Sequence, residues 1–272
     1  MPIHVEPFGL FLALGLALGV GLSAVLGRKA GLDPRLGAEG LFGALVGALV
    51  GARALYLLGA RVPAEPALWF ALGEGGLSGY GALFGACLGG ALALHRRRAQ
   101  QLELRAWFDL AALGALLVVA VARVGCYLQG CDFGRPLSAR APAWLARLGA
   151  FPRPTSAASS PVWVEQVVRG ELGRDSAFTL SVHPTELYEA LGALLLLVLL
   201  FLRRRTQRRH GELFVLATLG YAVLRFATET VRGDADRGLF WRLSVSQWSA
   251  VLSVLLALLV LRRLTQRAAR SS

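Results

Sequence analysis

Seven apolar runs, each long enough to cross a bilayer, alternate with short polar connections along the chain. A transmembrane helix needs about 20 predominantly apolar residues, and the runs cover roughly 8–27, 38–60, 76–95, 107–126, 184–202, 212–230 and 243–261. No lysine or arginine precedes the first run and no small-residue cleavage pattern follows it, so we expect a retained span. The pattern predicts an all-α polytopic membrane protein of about seven transmembrane helices, with 1–272 forming one integral membrane domain.

Glycines recur at four-residue spacing in the second and third runs. Gly43, Gly47 and Gly51 follow this spacing in the second run, and Gly85 and Gly89 follow it in the third. Small residues at this spacing let two membrane helices approach closely. We therefore expect these glycines to serve helix packing and to carry no catalytic role.

Residues 130–182 break the alternation of spans and short connections. They contain five prolines and the polar stretch 156–160, and they are too polar to cross a membrane. The distribution of basic residues indicates on which side of the membrane this segment lies. With the N-terminus outside, the inner segments hold 16 basic residues and the outer segments hold 10, six of them in this long segment, where they count little. We predict an N-out, C-in protein whose residues 130–182 form an extracytoplasmic insert between spans four and five.

Composition excludes the main alternatives to a membrane protein. With glycine counted and tyrosine omitted, about 65% of the chain is apolar, against about 45–50% in soluble domains. That surplus of apolar residues excludes intrinsic disorder and exceeds what the core of a soluble domain can bury. Three cysteines are too few for disulfides to stabilise a chain of 272 residues. The net charge of +12 does not indicate nucleic-acid binding, because the basic residues, with Lys29 as the single lysine, fall between the apolar runs.

Several charged residues lie within the predicted spans, where each costs at least about 2.5–3.5 kcal/mol at the bilayer centre. They are Arg53, Asp109, Arg123, Glu189, Arg225 and Glu229. The predicted topology gathers Arg123, Arg225 and Glu229 at the outer leaflet, with Tyr80 and His183 at the outer starts of spans three and five. Two guanidinium groups at headgroup depth suit a phosphate, which they bind in a forked geometry.

Helical spacing relates some of these charges to one another. Tyr221, Arg225 and Glu229 share one helix face, so Arg225 and Glu229 can pair. Asp109 lies about 21 Å along the helix from Arg123, so we expect Asp109 to neutralise another arginine or to cap the inner end of span four. Snorkelling or structural ion pairing is the alternative to phosphate binding, and for Arg53 it is the favoured interpretation.

Five segments resemble motifs of the prolipoprotein diacylglyceryl transferases, in the family's order and on matching helices. The third segment is similar to the family's His-Pro-Thr/Ser-x-Leu-Tyr-Glu motif, and the fourth to Gly-Tyr-x-x-x-Arg-Phe-x-x-Glu-x-x-Arg. The segments are GGLSGYGALFGA at 75–86, FDLAALGALLVVAVARVGCYLQGCDFGRP at 108–136, HPTELYEA at 183–190, GYAVLRFATETVRGD at 220–234 and SVSQWSAVLSV at 244–254.

The resemblance implies a multi-pass enzyme of the bacterial inner membrane. Such an enzyme transfers the diacylglyceryl group of phosphatidylglycerol to the lipobox cysteine of a prolipoprotein signal peptide, forming a thioether and releasing glycerol phosphate. It implies no cofactor, no metal ion and no nucleic-acid partner, with membrane lipid as the surroundings.

The resemblance also assigns roles to individual residues. Arg123 and Arg225 would hold the headgroup, Glu229 would orient Arg225, and Tyr221 would line the site. Cys126 and Gly81 would also bind substrate, and Tyr80 and His183 would join the arginines and Glu229 in catalysis.

Departures from the family pattern mark a diverged branch. They leave the headgroup-binding arginines in place and alter the half of the site that would activate the thiol. Tyr80 stands where the family often has histidine, and a phenol with a pKa near 10 is a poor base, so His183 becomes the candidate base. The other departures are Phe8 for tyrosine, Cys126 for asparagine, Gln129 and Cys131 at polar positions, and Val182 for arginine.

The cysteines and the overall function leave alternatives open. The C-x4-C spacing of Cys126 and Cys131 is compatible with simple packing, with a disulfide or with a functional thiol, whereas Cys87 is expected to pack in mid-span. A diverged paralogue could bind phospholipid but have lost the reaction or use another acceptor. An anion transporter or channel would instead need charges distributed through the depth of the membrane.

Overall fold

The computed structural model describes residues 6–60, 69, 76, 78–96, 101–154, 160–207, 209–234 and 239–269. Nine helices and one short strand pair occur in these ranges. The helices are α1 (Pro7–Lys29), α2 (Pro34–Ala60), α3 (Gly79–Arg96), α4 (Gln101–Gln129), α5 (Ala143–Leu148), α6 (Pro161–Val168), α7 (Thr185–Arg203), α8 (Glu212–Thr230) and α9 (Val245–Ala269). A 3-10 turn, Arg204–Thr206, follows α7, and strands β1 (Leu239–Phe240) and β2 (Leu243–Ser244) pair antiparallel before α9.

The helical multi-pass architecture predicted from the apolar runs is confirmed. Within the described residues, α1, α2, α4, α7, α8 and α9 are long and apolar enough to cross a membrane, and the run predicted at 76–95 forms a shorter apolar helix, Gly79–His95. One face of α7 leaves Leu191, Leu195 and Leu199 exposed. Such a stripe is stable against lipid and would be costly in water.

Prolines fix where several helices begin. Pro7, Pro34 and Pro161 stand at the starts of α1, α2 and α6. The proline ring supplies a helical φ angle, and the missing N–H is one that would have no partner inside the helix at this position. These residues therefore end the polar connections without costing a helical hydrogen bond.

Helices α2 and α3 pack together through the glycines that their spacing predicted. A Cβ atom on Gly47 would lie 2.1 Å from the Gly85 carbonyl oxygen, and one on Gly85 would lie 2.0 Å from the Gly47 oxygen. Gly51 and Gly81 face each other in the same way, at 2.3 and 2.2 Å. The two backbones are in contact, so any side chain at these positions would push the helices apart.

Helices α1, α4, α7 and α8 share one apolar core. Leu26 of α1, Leu113 and Leu116 of α4, Leu197 of α7 and Leu213 of α8 form a buried cluster. These side chains hold α4, α7 and α8 together in the middle of the bundle. Consequently, polar side chains near the ends of the same three helices are brought together at one end of it.

Asp109 caps a neighbouring helix, and the expectation that it neutralises an arginine or caps span four is corrected. Its carboxylate accepts hydrogen bonds from the backbone N–H groups of Gly211 (2.6 Å) and Phe214 (2.8 Å) and from the Gln207 side chain (2.5 Å). The first N–H groups of a helix have no helical partner, and an anion there also complements the helix dipole. Asp109 thus anchors the start of α8 to α4.

Arg53 is held inside the protein, so of the two structural alternatives to phosphate binding, snorkelling and ion pairing, snorkelling does not apply to it. It is buried, donates a hydrogen bond to the Gly76 carbonyl oxygen (3.0 Å) and lies over the Tyr56 ring at 5.5 Å from the ring centre. Its guanidinium is therefore satisfied inside the protein, beside the α2–α3 contact.

The described residues of the insert, 130–154 and 160–182, fold over the end of the bundle at which α4 ends and α7 begins. Phe133, Phe151, Val162 and Val182 form a small core of their own. The chain leaves α4 through Gly130, whose φ of +73° is one that glycine adopts without strain. Backbone bridges from 134 to 232 and from 136 to 182 tie this segment to the end of α8 and the start of α7. Its extracytoplasmic position stays a prediction.

Candidate functional site

Charged side chains from three helices and the insert meet at this end of the bundle. Arg123 comes from α4, Glu189 from α7, Arg225 and Glu229 from α8, and Asp132 from the insert. Each helical residue lies within seven residues of the helix end that faces the insert. Together with Arg232 and Asp234, they are referred to below as the arginine–carboxylate cluster.

Glu189 joins the two arginines that the sequence placed at one leaflet. Its Oε2 lies 3.1 Å from Arg123 Nε and accepts a hydrogen bond of 3.1 Å from Arg225 Nη1. Its Oε1 accepts a hydrogen bond of 2.6 Å from the Tyr221 hydroxyl. Only 2% of the Glu189 side chain is exposed. One buried carboxylate therefore fixes two guanidinium groups from different helices.

Glu229 pairs with Arg225 one helical turn away, as the spacing of the two residues predicted. Its Oε2 lies 2.9 Å from Arg225 Nη2 and 3.6 Å from Arg232 Nη1. Within the described residues neither Glu229 oxygen accepts an aligned hydrogen bond. Arg225 Nη2 donates instead to Ser246 Oγ (3.1 Å), which links α8 to the start of α9.

Asp132 closes the cluster on the side of the insert. It forms ion pairs with Arg123 and with Arg232, the latter at 2.8 Å, and Arg232 also pairs with Asp234. Partial burial opposes ionisation of Asp132, but Arg123 and Arg232 outweigh it and hold the pKa of its carboxyl well below its usual range. Asp132 therefore stays charged and, at 35% side-chain exposure, is the most accessible carboxylate among these ion pairs.

The cluster holds its charges in near balance and still has unused donors. In the described part of the chain, three arginines face four carboxylates, from Asp132, Glu189, Glu229 and Asp234. No hydrogen bond to these described residues is recorded for Nη2 of Arg123 or Nε of Arg225. These N–H groups remain available to an additional acceptor.

Tyr80 contributes a hydroxyl group without a partner. Its side chain is buried and packs with Ala222 and Ala250, and the hydroxyl finds no hydrogen-bond partner among the described residues. It interacts electrostatically with Arg225, Glu189 and Glu229. A buried polar group left unsatisfied costs about 1–3 kcal/mol, so this position favours a ligand atom that completes the hydrogen bond.

The other residues assigned from the resemblance divide into two groups. Cys126 is buried, and its Sγ receives a contact from Arg123 Nη1 at 4.0 Å, so Cys126 lies at the cluster. His183 Nδ1 pairs with the Tyr188 hydroxyl at 3.2 Å, and no contact with Arg123 or Arg225 occurs in the described residues. Gly81 lies in the α2–α3 contact, facing Gly51, and its part in substrate binding stays a prediction.

The two cysteines at the insert are free thiols in this structure, so they form no disulfide here. Cys131 Sγ donates to the Cys126 carbonyl oxygen at 3.5 Å. Its hydrogen bonding with Cys126 and its burial raise the pKa of the Cys131 thiol above the usual range. Cys131 is accordingly a poor nucleophile at neutral pH. Cys87 is also free and half-buried in α3.

Reasoning from the sequence did not assign roles to Glu189, Asp132, Arg232 or Ser246. Two of them carried a signal, because Glu189 is the glutamate that ends the His-Pro-Thr/Ser-x-Leu-Tyr-Glu motif and Arg232 follows Glu229 by three residues. Asp132 lies outside the predicted spans and Ser246 lies near the start of the seventh, at 243–261; the spacing of neither residue from the arginines in sequence indicates contact. Among the described residues, no group of three or more His, Cys, Asp or Glu side chains is arranged to hold a metal ion.

Comparison with known proteins points to one family. A family model described as prolipoprotein diacylglyceryl transferase matches residues 1–263. The phosphatidylglycerol–prolipoprotein diacylglyceryl transferase of Symbiobacterium thermophilum is 27% identical, over 99% of this chain and 92% of that protein. Proteins of the same name from Clostridium tetani and Ralstonia pickettii are 23% and 29% identical, over 95% and 86% of this chain and 92% and 82% of theirs.

Proposed function

The chain belongs to the prolipoprotein diacylglyceryl transferase family, and on this premise we propose that the arginine–carboxylate cluster is its active site. The protein is a multi-pass membrane transferase that moves the diacylglyceryl group of phosphatidylglycerol to a prolipoprotein. We propose further that the acceptor is the lipobox cysteine of a signal peptide and that the enzyme works in the bacterial inner membrane.

The observation that carries this proposal is the pairing of Arg123 and Arg225 across one buried carboxylate. In the reaction, a sulfur–carbon bond forms as the carbon–oxygen bond to the phosphate breaks, so negative charge develops on the departing phosphate ester. Guanidinium donors held in place before the reaction stabilise such charge without reorganising. Glu189 supplies that fixed geometry, because it holds both arginines within 3.1 Å of one oxygen atom.

The near balance of charge determines how a phosphate can bind. A fully compensated pair of arginines attracts an anion less strongly than free arginines do. We propose that the phosphate accepts hydrogen bonds from Nη2 of Arg123, Nε of Arg225 and the Tyr80 hydroxyl, the donors that lack partners in the described residues. It would approach from the side of Asp132, the most exposed carboxylate of these ion pairs.

The position of the cluster supports a lipid headgroup as the ligand and disfavours an anion path. The arginines gather at the end of the bundle that carries the insert, which matches the headgroup depth of a leaflet. An anion path would need charges through the membrane, whereas Asp109, the buried acid toward the opposite end of α4, is occupied in capping α8. No observation favours a paralogue that has lost the reaction.

A transfer assay tests the proposal. Purified protein in liposomes would receive a lipobox peptide with one cysteine and either phosphatidylglycerol or diacylglycerol, which lacks the phosphate. We expect mass spectrometry to show the peptide shifted by one diacylglyceryl group, with glycerol phosphate released, for phosphatidylglycerol alone. The absence of any shift, beside an active Symbiobacterium thermophilum relative, would contradict the proposed function.

A further inference from the structure

Glu186 is a buried acid at the edge of the arginine–carboxylate cluster, and the proposed binding of the phosphate does not involve it. It is the second residue of α7, one turn before Glu189, and 1% of it is exposed. Among the described residues, neither carboxylate oxygen accepts a hydrogen bond from another residue, and the donor beside it is its own backbone N–H. It occupies the position that the His-Pro-Thr/Ser-x-Leu-Tyr-Glu motif leaves open, so the resemblance assigns it no role.

The neighbours of Glu186 form their hydrogen bonds and ion pairs with other groups among the described residues. Arg123 is engaged by Glu189 and Asp132. The Tyr127 hydroxyl donates to the Leu148 carbonyl oxygen at 2.9 Å, and the Tyr188 hydroxyl pairs with His183. The titratable and charged groups that interact electrostatically with Glu186 are Arg123, Cys126 and Tyr127 of α4, Asp132 of the insert and Tyr188 of α7.

A buried carboxylate without donors is rare and costly in a folded protein. Helix α7 holds Glu186 at the end of the bundle that carries the arginine–carboxylate cluster. Its carboxylate interacts electrostatically with Arg123, the arginine proposed to bind the phosphate. Both oxygens are therefore available to a group that carries a proton and enters the site with the substrates. Such a group would complete the missing hydrogen bond.

We propose that Glu186 is a catalytic residue that accepts the proton of the acceptor thiol; this inference rests on the proposed transferase function. The sulfur forms a bond to the glycerol carbon of the diacylglyceryl group, and the bond from that carbon to the phosphate oxygen breaks. The thiol proton passes to a Glu186 oxygen and then to solvent. The bond pair leaves with the phosphate, so glycerol phosphate departs as the dianion.

The chemistry of the two substrates selects the thiol as the proton donor. Glycerol phosphate leaves as a stable anion and needs no proton from a general acid, whereas a cysteine thiol with a pKa near 8.5 is mostly protonated at neutral pH and must lose its proton. The other candidates are less suitable: His183 is paired with Tyr188, and the Tyr80 phenol is a weak base. Arg123, beside Cys126, would stabilise the thiolate that forms next to Glu186.

The test compares cysteine and selenocysteine acceptor peptides with Glu186→Gln, which keeps the size of the side chain. A selenol is already ionised at neutral pH and needs no base. We expect transfer to the cysteine peptide to fall about 10²–10⁴-fold, the usual contribution of a general base. Transfer to the selenocysteine peptide should stay near the wild-type rate. Glu171→Gln, at an exposed glutamate of the insert, should match the wild type with both peptides.

Other outcomes separate this inference from its alternatives. Near-normal transfer to the cysteine peptide by Glu186→Gln would overturn it, as would an equal loss with both peptides in a variant of unchanged thermal stability. If the variant fails to fold, the transfer rate of the wild-type enzyme is measured against pH. The rate must fall at acidic pH with the cysteine peptide and must not fall there with the selenocysteine peptide. No transfer by the wild type to either peptide would contradict the proposed function itself.

Discussion

Arg225→Ala is expected to remove diacylglyceryl transfer almost completely while the protein still inserts into the membrane. The substitution deletes the donors to Glu189 and Ser246 and the ion pair with Glu229. It also deletes one of the two guanidinium groups proposed to stabilise the departing phosphate. Loss of one such donor costs about 10²–10³-fold in rate, and the departing phosphate ester here ends with two negative charges.

Arg225→Lys gives a sharper version of the same test. Lysine keeps the positive charge but cannot reproduce the fork that contacts Glu189 and Ser246 together. We expect it to recover only a small part of the lost rate. Arg153→Ala, at a half-exposed arginine of the insert, is the matched control and should transfer at the wild-type rate. Near-normal turnover in Arg225→Ala would exclude this arginine from phosphate binding.

Glu189→Gln is expected to lower both activity and stability. The substitution keeps the shape of the side chain but leaves Arg123 and Arg225 without the negative charge between them. Removing one partner of a buried ion pair costs about 3–5 kcal/mol, and Asp132 and Glu229 retain part of the compensation. We therefore expect a lower thermal unfolding temperature in detergent together with a large loss of transfer.

The control for Glu189→Gln is Asp175→Asn, which alters a fully exposed carboxylate 3.9 Å from Arg153. Surface ion pairs contribute about 0–1 kcal/mol, so this variant should unfold at the wild-type temperature. A Glu189→Gln variant that is as stable and as active as the wild type would show that the two arginines do not depend on Glu189 for their geometry.

The helices were predictable because membrane helices satisfy their backbone hydrogen bonds internally, so the length of an apolar run determines a span. The third run departs from this rule: a span was predicted at 76–95, but the helix there begins only at Gly79. Its glycines did predict the contact with α2, because close backbone approach needs small residues at regular spacing. Bounds at polar ends were less predictable: α4 extends to Gln101 and Gln129, beyond the predicted 107–126.

Partners of the buried charges were harder to predict because they come from distant parts of the chain. The spacing of Arg225 and Glu229 predicted their pairing, since both lie on one helix face. The backbone groups that Asp109 caps lie about 100 residues later, and no local spacing encodes that contact. Glu189 was recognised as a charge within a span, but its place between two arginines depends on how α4, α7 and α8 pack.

The central claim is that the phosphate of phosphatidylglycerol binds between Arg123 and Arg225, and cross-linking of the headgroup tests it most directly. A phosphatidylglycerol analogue with a photoreactive diazirine on its headgroup glycerol would be activated in liposomes, and labelled peptides would be identified by mass spectrometry. We expect labels within 123–132 and 221–232, and their loss when unlabelled phosphatidylglycerol competes. Competed labels confined to other parts of the chain would contradict this placement of the headgroup.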